Sequence, residues 1–357
     1  MKVLHVITSM RTGGAENLVA AMLPRLRTAG IEPSLALLDA TPTPLLSRVE
    51  DAGIEVFRLG RGLRSVYNPL HIRRLASLMQ NGRFDIVHTH NSTPQFFARW
   101  ARPGNGPKLV TTEHNTSNRR RGIPGFHIVD LDMYRAYDAI VCCGEAVMTA
   151  LLERHPSLAS HKHIEVIANG IDLTPYISLM PPYPPADRVE ILMVSAFRPQ
   201  KDHVTALRAI AMLPPRFHLT LAGDGQLLKQ TMALAESLGV ADKVCFAGNR
   251  TDIPSLYSGA HIALLSTHYE GLSLGCIEAM ASGRPFVASD VRGVREITSG
   301  VATLTPEADP FALAEAINRV ADNYTAALPL ASAARAKATI FDIENTVKQY
   351  INLYTAI

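Results

Sequence analysis

The amino-acid sequence predicts two doubly wound α/β domains. Short apolar, β-rich runs alternate with helical patterns from one end of the chain to the other, and a proline-dense segment interrupts that rhythm near the middle. The length of 357 residues suits two domains of about 100–200 residues each.

The strand-like runs of the first half are KVLHVIT, SLALLDA, FDIVHTH, KLVTTEH, DAIVCCG and IEVIANG. The second half continues with EILMVSAF, HLTLAGDG, KVCFAGN, HIALLST and PFVASD. Near-continuous apolar strands separated by helices indicate parallel sheets covered on both faces. The interruption is LTPYISLMPPYPPADR, whose five prolines between Pro175 and Pro185 exclude both helix and central strand. Residues 1–178 and 188–341 are therefore the expected domains, and 342–357 a C-terminal helix that packs on one or the other. Ligands bind at the carboxyl ends of strands in open parallel sheets, and two hinged sheets of this kind are expected to present those ends to a shared cleft.

A composition of 47% hydrophobic and 19% charged residues excludes a disordered chain. The N-terminus MKVLHVITSMRTGGAE passes straight from a lysine into a strand-like run, without the apolar core and cleavage site of a signal peptide. No window approaches the ~18 apolar residues of a membrane span. The expected location is cytoplasmic, or peripheral at the inner face of a membrane. The net charge of +3 is unevenly spread: residues 1–180 hold 20 basic against 15 acidic side chains, and 17 of those 20 are arginine. Arginine pairs bidentately with phosphate, so the basic half suits a phosphorylated partner or an anionic membrane surface, with solvated helix faces as the alternative. No nucleic-acid partner is expected. Cys142, Cys143, Cys245 and Cys276 lie in apolar runs without metal-ligand spacing and are expected as buried free thiols.

The segment EGLSLGCIEAMASG separates Glu270 and Glu278 by seven small or apolar residues. It follows the strand HIALLS and turns into a helix, so the amides of Leu272, Ser273 and Leu274 are expected as unpaired helix-N-terminal donors beside Gly271. Such donors and the helix dipole form an anion site suited to phosphate. A carboxylate one turn into that helix repels the phosphate unless it reaches past it to sugar hydroxyls, and Glu270 addresses the other side. A pyrophosphate with a sugar on each side, a nucleoside diphosphate sugar, fits both acids.

This segment, E-x7-E within EGLSLGCIEAMASGRPFVASDVRGVREI, resembles the donor-site signature of the retaining glycosyltransferases of family 4, which have the GT-B architecture. The resemblance extends to VIANGID, SAFRPQKD, LAGDG, TGGAE and DIVHTH and covers most of the chain. It implies that Glu270 holds donor-sugar hydroxyls and that Glu278 holds ribose. It also implies that Lys201 and Arg198 stabilise the departing diphosphate, although the commonest pattern has its arginine where this chain has Ala196. His114 is implied near the donor sugar, Gly14 near the donor phosphate or the acceptor, and the loops at Gly223 and Asn249 around the nucleoside. His90 and the run Arg119, Arg120 and Arg121 face the acceptor on this reading; His90 as a satisfied sheet-end histidine and the arginines as a solvated loop are the alternatives.

Protein cations replace metal in this scheme, so no cofactor is expected. Asp130 and Asp132 form a D-x-D, but i and i+2 diverge on a helix and the pair reads as a surface accident. His88, His90 and His114 invite a metal cluster, yet no cysteine and no ligand-bearing helix accompanies them. The resemblance thus implies retaining transfer from a nucleoside diphosphate sugar, UDP-linked first and GDP-mannose next, to a glycan or lipid-linked acceptor in cell-surface polysaccharide synthesis. A sugar-nucleotide 2-epimerase or phosphorylase of the same architecture, or a non-catalytic nucleotide-sugar sensor, stays open.

Overall fold

The structure is a computed structural model that describes residues 1–11, 13–62, 66–116, 123, 125–161, 163–180, 184–185 and 187–357. The chain forms two units, Met1–Ile171 with Ile343–Ile357, and Asp172–Asp342.

The first unit alternates strands β1 (Lys2–Ser9), β2 (Glu32–Asp39), β3 (Glu55–Arg58), β4 (Ile86–His90), β5 (Lys108–Glu113), β6 (Ala139–Cys142) and β7 (Ile164–Val166) with helices. These helices are α1 (Gly14–Thr28), α2 (Pro44–Asp51), α3 (Leu70–Asn81), α4 (Ser92–Ala101), α5 (Phe126–Arg135) and α6 (Glu145–Arg154). The sheet is parallel, in the order β3-β2-β1-β4-β5-β6-β7.

The second unit opens with a short helix α7 (Thr174–Ile177) and continues through β8 (Val189–Val194), α8 (His203–Met212), β9 (Phe217–Ala222), α9 (Leu228–Ser237), β10 (Val244–Gly248) and α10 (Ile253–Gly259). After these come β11 (Ile262–Leu265), α11 (Leu274–Ala281), β12 (Phe286–Ser289), α12 (Arg295–Thr298), β13 (Thr303–Thr305), α13 (Pro310–Asp322) and α14 (Tyr324–Ala338). Its sheet is also parallel, in the order β10-β9-β8-β11-β12-β13. The strand order reverses between β1 and β4 in one sheet and between β8 and β11 in the other, the places where doubly wound sheets bind ligands.

Local chemistry starts the helices where the sheets need them. Thr43, Asp202 and Asp309 cap α2, α8 and α13 by accepting from the amides of Leu46 (3.1 Å), Thr205 (3.0 Å) and Ala312 (3.0 Å). Pro44 and Pro310 occupy the first turn, where a missing amide leaves no bond unmade.

Helix α15 (Ile343–Ala356) returns to the first unit. Its Val347, Tyr350, Leu353 and Tyr354 join the core that β1 and α1 build from Val3, Ile7, Leu18 and Met22. Thr346 donates to the Ala168 carbonyl at 2.8 Å and Arg25 to Glu344 at 2.7 Å. The tyrosines carry their hydroxyls to buried polar groups of the sheet: Tyr354 to His88 Nδ1 at 2.6 Å and Tyr350 to Thr112 Oγ1 at 2.9 Å.

Three expectations need correction. Residues 172–178 group with the second unit, because Tyr176 is buried there and Arg335 donates to the carbonyls of Tyr176 (2.6 Å), Leu179 (2.7 Å) and Ile177. The proline-dense segment also begins as helix α7, with Pro175 in the first turn. Cys245 is exposed rather than buried, since it lies on β10, an edge strand; Cys142, Cys143 and Cys276 are buried. Among the described residues, no helix is long and apolar enough to cross a membrane.

Tyr354→Phe keeps the ring and strands His88 Nδ1 without its partner. A loss of about 1–3 kcal/mol is expected for an orphaned buried polar atom, read as a fall of several degrees in thermal midpoint. An unchanged midpoint would mean that the hydroxyl adds nothing to the docking of α15.

Candidate functional site

At the switch point of the second sheet, two loops leave the carboxyl ends of β8 and β11 and are stitched together by backbone. Lys201 and Thr267 form an antiparallel bridge, the Asp202 amide donates to the Ser266 carbonyl at 3.1 Å, and the His268 amide to the Gln200 carbonyl at 2.9 Å. His203 fixes the same turn to the end of β8. Its Nδ1 lies 3.2 Å from the Lys201 carbonyl and must donate there, which leaves Nε2 to accept from the Ser195 hydroxyl at 3.0 Å. Burial holds the His203 pKa down at about 4, consistent with that neutral ring.

The stitching carries Lys201 onto Glu270. The ammonium pairs with Glu270 Oε1 and lies 3.4 Å from the Ser273 hydroxyl. Thr267 donates to the same carboxylate oxygen at 3.0 Å, and Gln200 donates to Oε2 at 3.1 Å. Side-chain exposure is 14% for Lys201 and 5% for Glu270, so the pair is largely out of water.

Helix α11 begins beside it. Among the described residues, the amides of Leu272 and Ser273 make no hydrogen bond, and Leu274, the first helical residue, has no partner within its own helix. Gly275 lets the helix start against the end of β8: a Cβ there would lie 2.7 Å from the Val194 carbonyl oxygen. Unpaired amides, the positive end of the helix dipole and the Lys201 ammonium converge on one surface, next to Gly271.

Glu278 sits one turn further along α11, partly buried. Burial raises its pKa to about 7, against the opposing pull of a hydrogen bond from Tyr176. The Tyr176 hydroxyl is held protonated by burial and by that carboxylate. Gly223 and Asn249 close the same end of the sheet. The Gly223 amide donates to Gly248 at 2.8 Å, a Cβ on Gly223 would meet the Ser195 carbonyl oxygen at 2.0 Å, and Asn249 is exposed.

Thus Lys201, Glu270 and Ser273 lie in contact at the start of α11, and Glu278 stands one turn further along the same helix. Arg198 does not join them: it is exposed in the turn, where its carbonyl accepts from the Lys201 amide at 2.9 Å. Gln200, Thr267 and Tyr176 are additions. Gln200 lies within the quoted SAFRPQKD run; Thr267 and Tyr176 carry no signal in sequence that separates them from neighbouring polar residues.

In the first unit, Gly14 opens α1 after β1, exposed, with nothing within 4 Å of where its Cβ would be. Tight packing therefore does not explain that glycine. His90 is fully buried, its Nε2 3.2 Å from His5 Nδ1 and its Nδ1 3.3 Å from His114 Nε2. With both nitrogens engaged it cannot face an acceptor; it is the satisfied sheet-end histidine. Arg119, Arg120 and Arg121 lie outside the described residues.

Asp130 and Asp132 both lie on α5 but diverge. Asp130 is buried and 3.9 Å from Arg154, so it is not a surface residue, whereas Asp132 is exposed and 3.8 Å from Arg99. Among the described residues, the histidine set with nitrogens close enough to share an ion is His5, His88 and His90, within 4.8 Å. Both His88 nitrogens are already engaged, Nδ1 by Tyr354 and Nε2 by Thr112 at 2.7 Å, so this donor set fits hydrogen bonding better than metal.

Two family models divide the chain between them: Glycosyltransferase Family 4 over residues 12–175 and Glycosyl transferases group 1 over residues 182–338. The chain is 29% identical over 315 residues to EpsF of Bacillus subtilis (strain 168), a protein named for glycosyl transfer, covering 81% of this chain and 79% of that one. It is 27% identical over 313 residues to a glycogen synthase of Mycobacterium tuberculosis (strain ATCC 25618 / H37Rv), covering 84% and 75%. Among solved structures, Anabaena Alr3699/HepE in complex with UDP and glucose is similar with a TM-score of 0.85 at 20% identity, over 100% of both chains, a likeness of GT-B fold. With both halves matched in order, the chain belongs to the group 1, family 4 glycosyltransferases.

Proposed function

We propose that this glycosyltransferase moves a sugar, with retention of configuration, from a nucleoside diphosphate sugar to a glycan or lipid-linked acceptor in cell-surface polysaccharide synthesis. The observation that carries the reading is the Lys201–Glu270 pair at the start of α11: one fixed cation, unpaired amides and a carboxylate on a single surface. UDP is the favoured nucleotide, with GDP-mannose next; the support for UDP is that Anabaena HepE, similar in fold, was crystallised with UDP-glucose. The epimerase, phosphorylase and sensor readings gain no support from relatives named as transferases or synthases.

In this reading the diphosphate sits on the amides of Leu272, Ser273 and Leu274, with Lys201 neutralising charge as the glycosidic C–O bond breaks. Arg198 reaches the outer phosphate from its exposed turn. Glu270 accepts from donor-sugar hydroxyls and supports the oxocarbenium-like state. Glu278 accepts from ribose hydroxyls, with Gly223 and Asn249 around the base. The acceptor oxygen bonds to the anomeric carbon on the face that the phosphate leaves, and its proton passes to the departing phosphate oxygen. Cationic side chains and backbone dipoles make this scheme independent of metal. The first unit contributes the acceptor side, with His114 and Gly14 as its candidate ligand-contacting residues.

A thermal-shift panel of UDP-, GDP- and ADP-sugars, with magnesium and with chelator, tests the class. Stabilisation by one nucleotide series at saturating ligand, equal under both conditions, is expected. Stabilisation by none, or only with magnesium, would overturn the reading.

Glu278 makes donor affinity pH-dependent. Only the carboxylate accepts from both ribose hydroxyls, so the donor dissociation constant should rise as pH falls through about 7 and stay flat over that range in Glu278→Gln. For stability the sign is opposite: the folded pKa lies above the unfolded one, so Glu278 favours the fold at low pH, and that contribution is lost as pH rises toward 7. Calorimetric titration at pH 6 and pH 8 checks the first; a pH-independent constant in the parent protein would contradict the ribose assignment.

Lys201→Met should slow transfer and also destabilise the second unit by about 3–5 kcal/mol, because Glu270 is left buried without its counter-charge. Lys201→Met with Glu270→Gln should recover most of the stability, seen in a denaturant titration, but none of the transfer rate. Recovery of both would assign the pair a purely structural role.

A further inference from the structure

In the loops that carry Lys201 and Glu270, the side chain of Gln200 keeps one polar atom that the proposed chemistry leaves unused. Its backbone is pinned by the facing loop, where the His268 amide donates to the Gln200 carbonyl at 2.9 Å. Its side chain is pinned as well: Nε2 donates to the Tyr269 carbonyl at 2.7 Å and to Glu270 Oε2 at 3.1 Å. Both partners can only accept, so the atom that faces them is the amide nitrogen, and both of its hydrogens are engaged. Turning the amide over would set its oxygen against a carbonyl and a carboxylate. Oε1 is therefore held as an acceptor; among the described residues it has no hydrogen-bond partner, and the side chain is half-buried rather than sealed.

Glu270 is nearly saturated by the same loops. A carboxylate has about four lone-pair positions. Lys201 and Thr267 take those of Oε1, and Gln200 takes one of Oε2. The Thr267 hydroxyl is 3.0 Å from both Oε1 and the Gln200 carbonyl; its one hydrogen goes to the charged acceptor. One position on Oε2 remains for a ligand. It neighbours Gln200 Oε1, because the two side chains are bonded through Nε2. Two fixed acceptors side by side match two adjacent hydroxyls that both donate.

We propose that Gln200 is a specificity-determining residue of the donor site: its Oε1 accepts from one hydroxyl of the transferred sugar while Glu270 Oε2 accepts from the hydroxyl on the neighbouring carbon, so the site takes a sugar with a free vicinal diol. The proposal rests on the reading that Glu270 meets the donor sugar. Being pinned at both ends, Gln200 loses little freedom when the sugar arrives.

Calorimetric titration with UDP, UDP-glucose and its monodeoxy analogues, and with the matching GDP and GDP-mannose set, tests the pairing. The parent protein should bind one set, with affinity falling on the order of ten-fold for each of two analogues deoxygenated at neighbouring carbons, the size of one lost hydrogen bond. Gln200→Leu removes the amide and leaves Lys201 and Thr267 on Glu270. It should bind the bare nucleoside diphosphate as the parent does, which also reports an intact fold, and bind the sugar nucleotide about ten-fold more weakly. It should further become indifferent to one of the two missing hydroxyls. Both losses persisting undiminished in Gln200→Leu would overturn the proposal and leave the role of Glu270 standing. Sensitive carbons that are not neighbours, seen in the parent alone, would overturn it without any variant. A parent that binds the nucleoside diphosphate yet ignores every deoxygenation would refute the Glu270 contact itself.

Discussion

An ammonium and a carboxylate withdrawn together from water, Lys201 and Glu270, fix the loops at the switch point of the second unit. Neither Lys201 nor Glu270 tolerates solitude at this depth, since an unpaired buried charge costs several kcal/mol, and the loops that carry them are locked by the Lys201–Thr267 bridge and by Thr267 and Gln200 on the carboxylate. The pair holds these charges at fixed positions. That is what stabilising a charged leaving group requires: dipoles and cations that need not reorganise as the bond breaks. Gly275 and Gly223 serve the same end, because a side chain at either would push backbone away from the ends of β8.

The first unit solves a different problem. Its sheet carries His5, His88, Thr112 and His90 where an ordinary α/β core is apolar, all fully buried. Polar groups in such surroundings are tolerated only in a near-complete network, and helix α15 supplies two of the partners through Tyr350 and Tyr354. The C-terminal helix therefore acts as a polar as well as an apolar closure of that core.

How far the sequence could be read follows from burial. Central strands such as β6 and β11 are buried throughout and appear as unbroken apolar runs. The edges β3 and β13 give no apolar run, because the first is half solvated and the second, Thr303–Thr305, holds a single apolar residue. Glu270 and Glu278 were legible because eight residues of helix preceded by a glycine turn leave few places for two acids. Lys201 is singled out by the resemblance of SAFRPQKD, a loop after a strand, to the family's pattern. Arg198 shares that turn but is exposed, while Lys201 is drawn onto Glu270. Gln200, Thr267 and Tyr176 stayed hidden, since their roles depend on loops meeting from distant parts of the chain. His5 is an ordinary letter of a strand-like run, and only the parallel register with β4 brings it beside His88 and His90.

The central claim is that a nucleoside diphosphate lies on the start of α11 against Lys201. A crystal structure with a bound sugar nucleotide tests it most directly. The account predicts phosphate oxygens within hydrogen-bonding distance of the Ser273 and Leu274 amides and of the Lys201 ammonium, with ribose hydroxyls on Glu278. Phosphates bound elsewhere, or held through a divalent ion on side chains away from α11, would contradict it.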